Sequence, residues 1–429
     1  RGTMDSKKIV EEKIEQMISF AEKQDTIIRY NRVLNILYDK DDSITEETIS
    51  YVVDRLEQKG IIVIRDSDED YENAASDVDN FIPADVNISQ RPMNVYNLME
   101  RLENEEINLA PEFQRNENLW SPEQQTRLIE SLMLKIPIPT FYFNAADDDK
   151  WIVIDGLQRL SAFKNFLVGN IDENGERRKE KFTGLQYMRD FENLTFDDLP
   201  RQYVRRIKET PIVAYTVERG TPDGIVYNIF QRINTGGLEL KPQEIRQALY
   251  VGKATALLQK LAEKEEFLQA TQHSISTERM ADREYVNRFI AFTELDYVLE
   301  YKGNIDEYLR KALKKVNHYD EKELLRVEKS FYRVMLYCKK IFGKYAFRKY
   351  NEKRRRGPIN KALFESWSLI FSELSDEELD ILVQKREELL ERFGKELQNA
   401  DYINALKSGD QYSVARRIEM TKNVVKEII

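Results

Sequence analysis

The chain has 429 residues, 41% hydrophobic and 33% charged, with a formal net charge of −10. That length predicts two or three domains with real cores, and no apolar run nears the roughly 20 residues of a membrane helix. One cysteine, Cys338, excludes an internal disulfide framework and a multi-Cys zinc site. Two histidines, His273 and His318, are too few for an HNH nuclease centre, a three-His metal site or an H-E-x-x-H metalloprotease, and read as surface or structural residues. Arg1-Gly2-Thr3 ahead of Met4 reads as a cloning remnant. With no signal-peptide pattern after it, a cytoplasmic protein without a membrane partner is expected.

The charge is unevenly spread. Residues 1–90 carry 11 Lys+Arg against 21 Asp+Glu, and the rest of the chain holds 55 of each. An acidic segment joined to a neutral body predicts a different partner for each part, or else a solvated acidic surface that keeps the chain soluble. Residues 5–38 read as helical from Ile9, Ile14, Met17 and Ile18, then Ile27, Ile28, Val33, Leu34 and Leu37. A second helix is expected from an N-cap at Thr45, with Glu46 and Glu47 in its positive first turn and Gly60 at its end. Ile49, Val52, Val53 and Leu56 form its apolar stripe. Ile61 to Ile64 reads as a strand, and residues 66–82 as an acidic linker. Helices ending in Leu56-Glu-Gln-Lys-Gly-Ile-Ile-Val-Ile64 before an acidic tail resemble the acidic N-terminal region of primary bacterial sigma factors. The resemblance implies a small helical module that docks on a basic surface such as a DNA-binding channel. A generic winged-helix-like adaptor fits the same pattern.

From about residue 91 the pattern changes. Val95, Leu98 and Leu102 predict a short helix. Ser121-Pro-Glu-Gln124 starts another: Ser caps, Pro takes the first position, and Gln124 closes a capping box. Pro137 and Pro139 forbid its continuation. Thr140 to Phe143 and Trp151 to Ile154 read as a strand pair, followed by a helix from about Leu157 to Leu167. A strand from Ile212 to Val217 leads to a helix near Gly224 to Arg232 and the turn Asn234-Thr-Gly-Gly237. Beyond Pro242 the pattern is almost wholly helical, without repeats. The expected domains are 1–82, an acidic module and linker; 83–250, an α/β core; and 251–429, a helical domain. The fold class is α+β.

The segment richest in chemistry is Trp151-Ile-Val-Ile-Asp-Gly-Leu-Gln-Arg-Leu160. A strand running into Asp155-Gly156 and a helix aims backbone N–H groups at whatever sits above the strand, which suits phosphate. Gly156 permits a sharp turn and a close approach to a ligand. Gln158 and Arg159 can reach phosphate oxygens, and Asp155 is the candidate for Mg²⁺ or for orienting water. The alternative is structural: Asp155 caps the helix and Arg159 makes a structural ion pair. Phe113-Gln114-Arg115 and Phe230-Gln-Arg232-Ile-Asn234 each add a cationic fork and an amide, a combination that suits a nucleotide polyphosphate.

Together, Phe113-Gln-Arg115, Trp120-Ser, Leu128-Ile-Glu-Ser131, Ile136-Pro-Ile-Pro139, Ile154-Asp-Gly-Leu-Gln-Arg-Leu160 and Phe230-Gln-Arg-Ile-Asn-Thr-Gly-Gly237 closely resemble the GmrS-type domain over about residues 91–250. That domain forms the N-terminal part of GmrSD modification-dependent restriction enzymes and belongs to the ParB/sulfiredoxin superfamily. The resemblance implies a ParB-like core that binds and hydrolyses a nucleoside triphosphate with Mg²⁺. It also implies roles for Asp155, Gly156, Gln158, Arg159, Gln114, Arg115, Arg232 and Asn234. Leu157 departs from the family's Asp-Gly-Gln-Gln-Arg pattern, and a leucine neither donates to phosphate nor positions water. Arg283-Glu-Tyr-Val-Asn-Arg-Phe289, Pro358-Ile-Asn-Lys-Ala-Leu-Phe364 and Arg416-Arg-Ile-Glu are similar to segments of stand-alone members.

Arg201 to Lys208 and Arg348 to Arg356 are basic clusters with aromatic neighbours, suited to DNA or RNA phosphates or to the chain's own acidic segment. The leading expectation is an NTP-binding, NTP-hydrolysing switch of the anti-phage class, acting with DNA or a partner protein. A non-catalytic DNA-binding or transcription-linked adaptor is the first alternative, and a nuclease acting through the ParB-like core the second. An oligomer is compatible with the sequence.

Overall fold

The computed structural model describes residues 87–109, 120–147, 149–233, 241–350 and 356–429, with parts of the first 64, among them 46–59 and 61–64. The chain divides into two compact units, residues 78–249 and residues 1–77 with 250–429.

The first unit is built on a mixed five-stranded sheet. Its strands are β1 (Ile88–Asn94), β2 (Ile107–Asn108), β3 (Phe141–Ala145), β4 (Trp151–Asp155) and β5 (Pro211–Glu218), in the order β1-β5-β3-β4-β2. β1 with β5 and β3 with β4 are antiparallel, while β3 with β5 and β2 with β4 are parallel. The helices are α1 (Val95–Glu103), α2 (Pro122–Met133), α3 (Leu157–Phe163), α4 (Arg201–Glu209), α5 (Asp223–Ile233) and α6 (Pro242–Leu249).

Alternation along β3 sets the layers. Phe141, Phe143 and Ala145 are buried with Trp151, Leu98, Leu128, Leu132, Leu160 and Phe163 in one core. Tyr142 turns to the other face, where Ile154, Val217, Val226, Tyr227, Phe230 and Ile245 pack. The antiparallel strand pair appears as expected, as does α2. Ser121 accepts from the Gln124 backbone at 3.3 Å, and the Gln124 side chain accepts from Ser121 N at 2.9 Å. β1 and β2 were not expected. The helix after Gly156 is α-helical only to Phe163, widens into a π-helix over Lys164–Val168, and ends at Gly169.

In the second unit, Ile27–Arg29 is a strand, not part of a continuous helix, and pairs in parallel with Ile62–Ile64. The helix Glu46–Gln58 forms as expected; its expected cap Thr45 and stop Gly60 lie outside the described residues. Ile14, Met17, Ile28, Val33, Leu37, Val52 and Leu56 make a separate small core. Beyond residue 250 the unit is largely helical, broken by a hairpin of Arg348–Tyr350 with Arg356–Ile359. The helix Lys361–Glu373 is buried on every face from Lys361 to Phe371. Such a helix cannot keep charges in water, so its Lys361 and Glu365 must be paired inside. Arg288 donates to Glu284 at 2.7 Å and to Glu365, Arg417 donates to Glu365 at 2.6 Å, and Lys361 sits 2.9 Å from Glu284. All five side chains are less than a tenth exposed. Four of these residues, Glu284, Arg288, Lys361 and Arg417, lie in the segments Arg283–Phe289, Pro358–Phe364 and Arg416–Glu419, so packing gathers those stretches around one buried network. No described helix is long and apolar enough to cross a membrane.

Candidate functional site

The strand-to-helix junction after β4 is held by its own residues. Gly156 has φ +103°, and a methyl group placed on it would lie 2.4 Å from Cδ1 of Phe141. Glycine is required here by a left-handed turn and by the neighbouring ring. The close approach is therefore to Phe141 of this chain. Leu160 N donates to Gly156 O at 2.9 Å to start α3, and no side chain caps the helix.

Arg159 points back across the turn. Its Nη2 donates to Asp155 Oδ2 at 2.7 Å, and its Nη1 donates to the carbonyl oxygens of Pro139 and of Thr140, the latter at 3.0 Å. The guanidinium lies 4.5 Å from the centroid of Phe141. Burial draws its pKa below the ordinary arginine value, against the pull of the Asp155 carboxylate. The Asp155 side chain stays 38% exposed, so the carboxylate is held from one side and faces solvent on the other. Gln158 is half-buried, and its Oε1 accepts from Trp120 N at 3.1 Å. That bond ties the start of α3 to the residue just before α2. Leu157, the departure from the family pattern, is half-buried at the first helical position.

Arg232 is exposed near the end of α5, a helix that packs on β4 with Phe230 and Ile154 in one core. Gln114, Arg115, Asn234 and Gly236-Gly237 lie outside the described residues. Sequence reasoning missed the carbonyls of Pro139 and Thr140, the Phe141 ring and the Trp120 amide. For the carbonyls the signal was Ile136-Pro-Ile-Pro139, whose prolines bar a helix here and so leave carbonyl oxygens without intrahelical donors; the ring and the amide had no local signal. Among the described residues no three His, Cys, Asp or Glu side chains come together. The donor set therefore fits Mg²⁺ only as one carboxylate, Asp155, with phosphate and water supplying the other ligands.

The basic segments fare differently. Arg348 is buried, donating to Gly357 O at 3.0 Å and to Ser274 Oγ at 2.6 Å, so its charge is turned inward; residues 351–355 lie outside the described residues. Arg201 and Arg205 are exposed on α4.

No curated protein and no solved structure matches the chain. The sigma-factor likeness of the N-terminal segment finds no support in these comparisons. One family model does match, over residues 95–251, and those residues hold the whole junction from Trp120 to Arg159. That model is the GmrSD restriction endonuclease, N-terminal domain, to which this span of the chain is similar.

Proposed function

We propose that this domain binds a nucleoside triphosphate at the Asp155–Arg159 junction and serves as the nucleotide-responsive part of a modification-dependent restriction system. The observation that carries the reading is an aspartate held on one side by a buried guanidinium and exposed on the other, at the strand-to-helix turn of the matched domain. Asp155 would hold Mg²⁺, which neutralises charge on the phosphates. Arg159 keeps the Asp155 carboxylate oriented, and Gln158 anchors Trp120, the end of the segment that carries Gln114 and Arg115. In this reading Arg115, Arg232 and Asn234 contact the anion. Leu157, together with an Arg159 fork already bonded to protein oxygens, favours nucleotide binding over rapid hydrolysis.

The test is a thermal-shift panel of the full chain with ATP, GTP, CTP and UTP in Mg²⁺, beside a phosphate-release assay with and without DNA. A nucleotide at about 100 times its Kd stabilises the protein by about 2.7 kcal/mol. Asp155→Asn is expected to weaken the Mg²⁺-dependent part of that shift. If no triphosphate moves the transition and none is hydrolysed, the site reading is wrong.

A further inference from the structure

Gln125, on α2, carries a side-chain amide that is nearly dry, at 9% exposure. An amide taken out of water costs stability unless its oxygen and its nitrogen both find partners. Here Nε2 donates to Trp120 O at 3.0 Å, and Oε1 accepts from Asn165 Nδ2 at 2.9 Å. Asn165 stands in the π-helical turn Lys164–Val168 that follows α3, and its Oδ1 accepts from Asn170 Nδ2 at 2.9 Å. At the other end, Trp120 N donates to Gln158 Oε1 at 3.1 Å. From Asn170 through Asn165, Gln125 and Trp120 to Gln158, all four bonds point the same way. Amides linked head to tail polarise one another, so each bond favours the orientation of the next. The peptide joining Trp120 to Ser121 is gripped on both edges, its carbonyl by Gln125 and its N–H by Gln124 Oε1 at 2.9 Å.

Direction matters because an amide has a donor end and an acceptor end. Turning Gln125 round would set its Oε1 against Trp120 O and its Nε2 against Asn165 Nδ2, two contacts of like against like. Gln158 is oriented by the same chain: its oxygen is bonded to Trp120, so its nitrogen points away from Trp120. We propose that Gln125, acting through Trp120, is a positioning residue that fixes the Gln158 amide with its donor end toward an anion at the junction. The role given to that donor rests on the nucleotide reading; the positioning itself does not. An oxygen already bonded to Trp120 is not the one that orients an attacking water, so Gln158 is assigned to holding phosphate rather than to hydrolysis.

The experiment uses the full chain and three single variants. Gln125→Met keeps a side chain of similar length and removes both amide bonds. Asn165→Asp puts an acceptor where Gln125 Oε1 needs a donor, and so turns the Gln125 amide round. Thr126→Val is the structural control: on the same helix it removes the bond from Thr183 N at 3.1 Å and leaves the amide chain alone. Hydrogen exchange of the Trp120 amide is read first, by NMR without nucleotide. Gln125→Met and Asn165→Asp are expected to speed it about five- to tenfold, the effect of weakening one ordinary hydrogen bond. Thr126→Val keeps the wild-type rate. Binding of ATP, GTP, CTP and UTP with Mg²⁺ is then followed by calorimetry. A Gln158 competent only about a tenth of the time weakens affinity about tenfold. Gln125→Met on a Gln158→Ala background weakens it no further, because effects that pass through one group do not add. Unchanged Trp120 exchange in both amide variants overturns the proposal. So does a further tenfold loss in the double variant, or an equal loss of affinity in Thr126→Val. A wild type that binds no triphosphate while the exchange effects hold strikes the nucleotide reading and leaves Gln125 as the residue that positions Gln158.

Discussion

Arg159 and Arg288 each reach back four residues to a carboxylate, and their surroundings make them different devices. Arg159 meets Asp155 and Arg288 meets Glu284, each at i, i+4 and each at 2.7 Å. Around Asp155 one side is open to solvent. Around Glu284 everything is protein, and the pair extends through Lys361, Glu365 and Arg417 into a network with no water-facing member. An ion pair with one wet carboxylate can exchange partners at little cost, whereas a dry network loses a desolvated charge if any member leaves. The same local motif is thus adjustable in one unit and locked in the other.

The locked network gives the largest expected effect. Glu365→Ala strips Arg288 and Arg417 of a shared acceptor at a site with no exposure, which costs about 3–5 kcal/mol. Urea unfolding followed by circular dichroism would read it, and a loss below about 1 kcal/mol would break the contrast. At the adjustable site, Asp155→Asn is expected to cost only about 1–2 kcal/mol. Arg159 keeps its bonds to Pro139 and Thr140, and the lost partner was partly screened by water. If Asp155→Asn proved as damaging as Glu365→Ala, the two pairs would be the same kind of device.

An exposed carboxylate sharpens the lower end of the scale. Asp410 caps the helix Gln411–Lys426, its side chain accepting from Ser413 N at 2.9 Å. Burial pushes its pKa up, but hydrogen bonds from Ser408 and Ser413 outweigh that and hold it at about 2, below the ordinary 3.8. Its contribution is therefore fully present above the unfolded value of 3.8 and is lost as pH falls toward 2. Because the group is exposed, Asp410→Ala should cost only about 1 kcal/mol at neutral pH. Wild type and variant should converge in stability near pH 2, and a gap that persists there would show that the cap does not act through its charge.

Much of the first unit was legible residue by residue. β3, β4 and β5 announce themselves through β-branched and aromatic runs, and α2 through Ser121, Pro122 and Gln124. β1 was hidden because Ile88-Ser-Gln-Arg-Pro-Met-Asn94 is mostly polar and contains Pro92, which an edge strand tolerates since only one side of it is paired. β2 is two residues long and exists through its pairing with β4. Ile27–Arg29 was read as helix because its isoleucines fall at helical spacing; the parallel partner at Ile62–Ile64 lies too far along the chain for local periodicity to register. At the junction, the residues Asp155, Gly156, Gln158 and Arg159 could be picked out, but their partners could not.

The amino-acid sequence by itself determined that one cysteine and two histidines cannot build a multi-Cys or three-His site, how charge is partitioned between the first 90 residues and the rest, and which strand–turn–helix bears the candidate side chains. Those follow from composition and from neighbours within a few positions. Only the tertiary structure decided that Arg159 bonds to Pro139, Thr140 and Asp155, or that Glu365 draws in Arg288 from 77 residues away and Arg417 from 52. Side chains distant along the chain meet according to how whole helices and strands pack, and that packing is settled by the burial of entire faces rather than by any local pattern of residues.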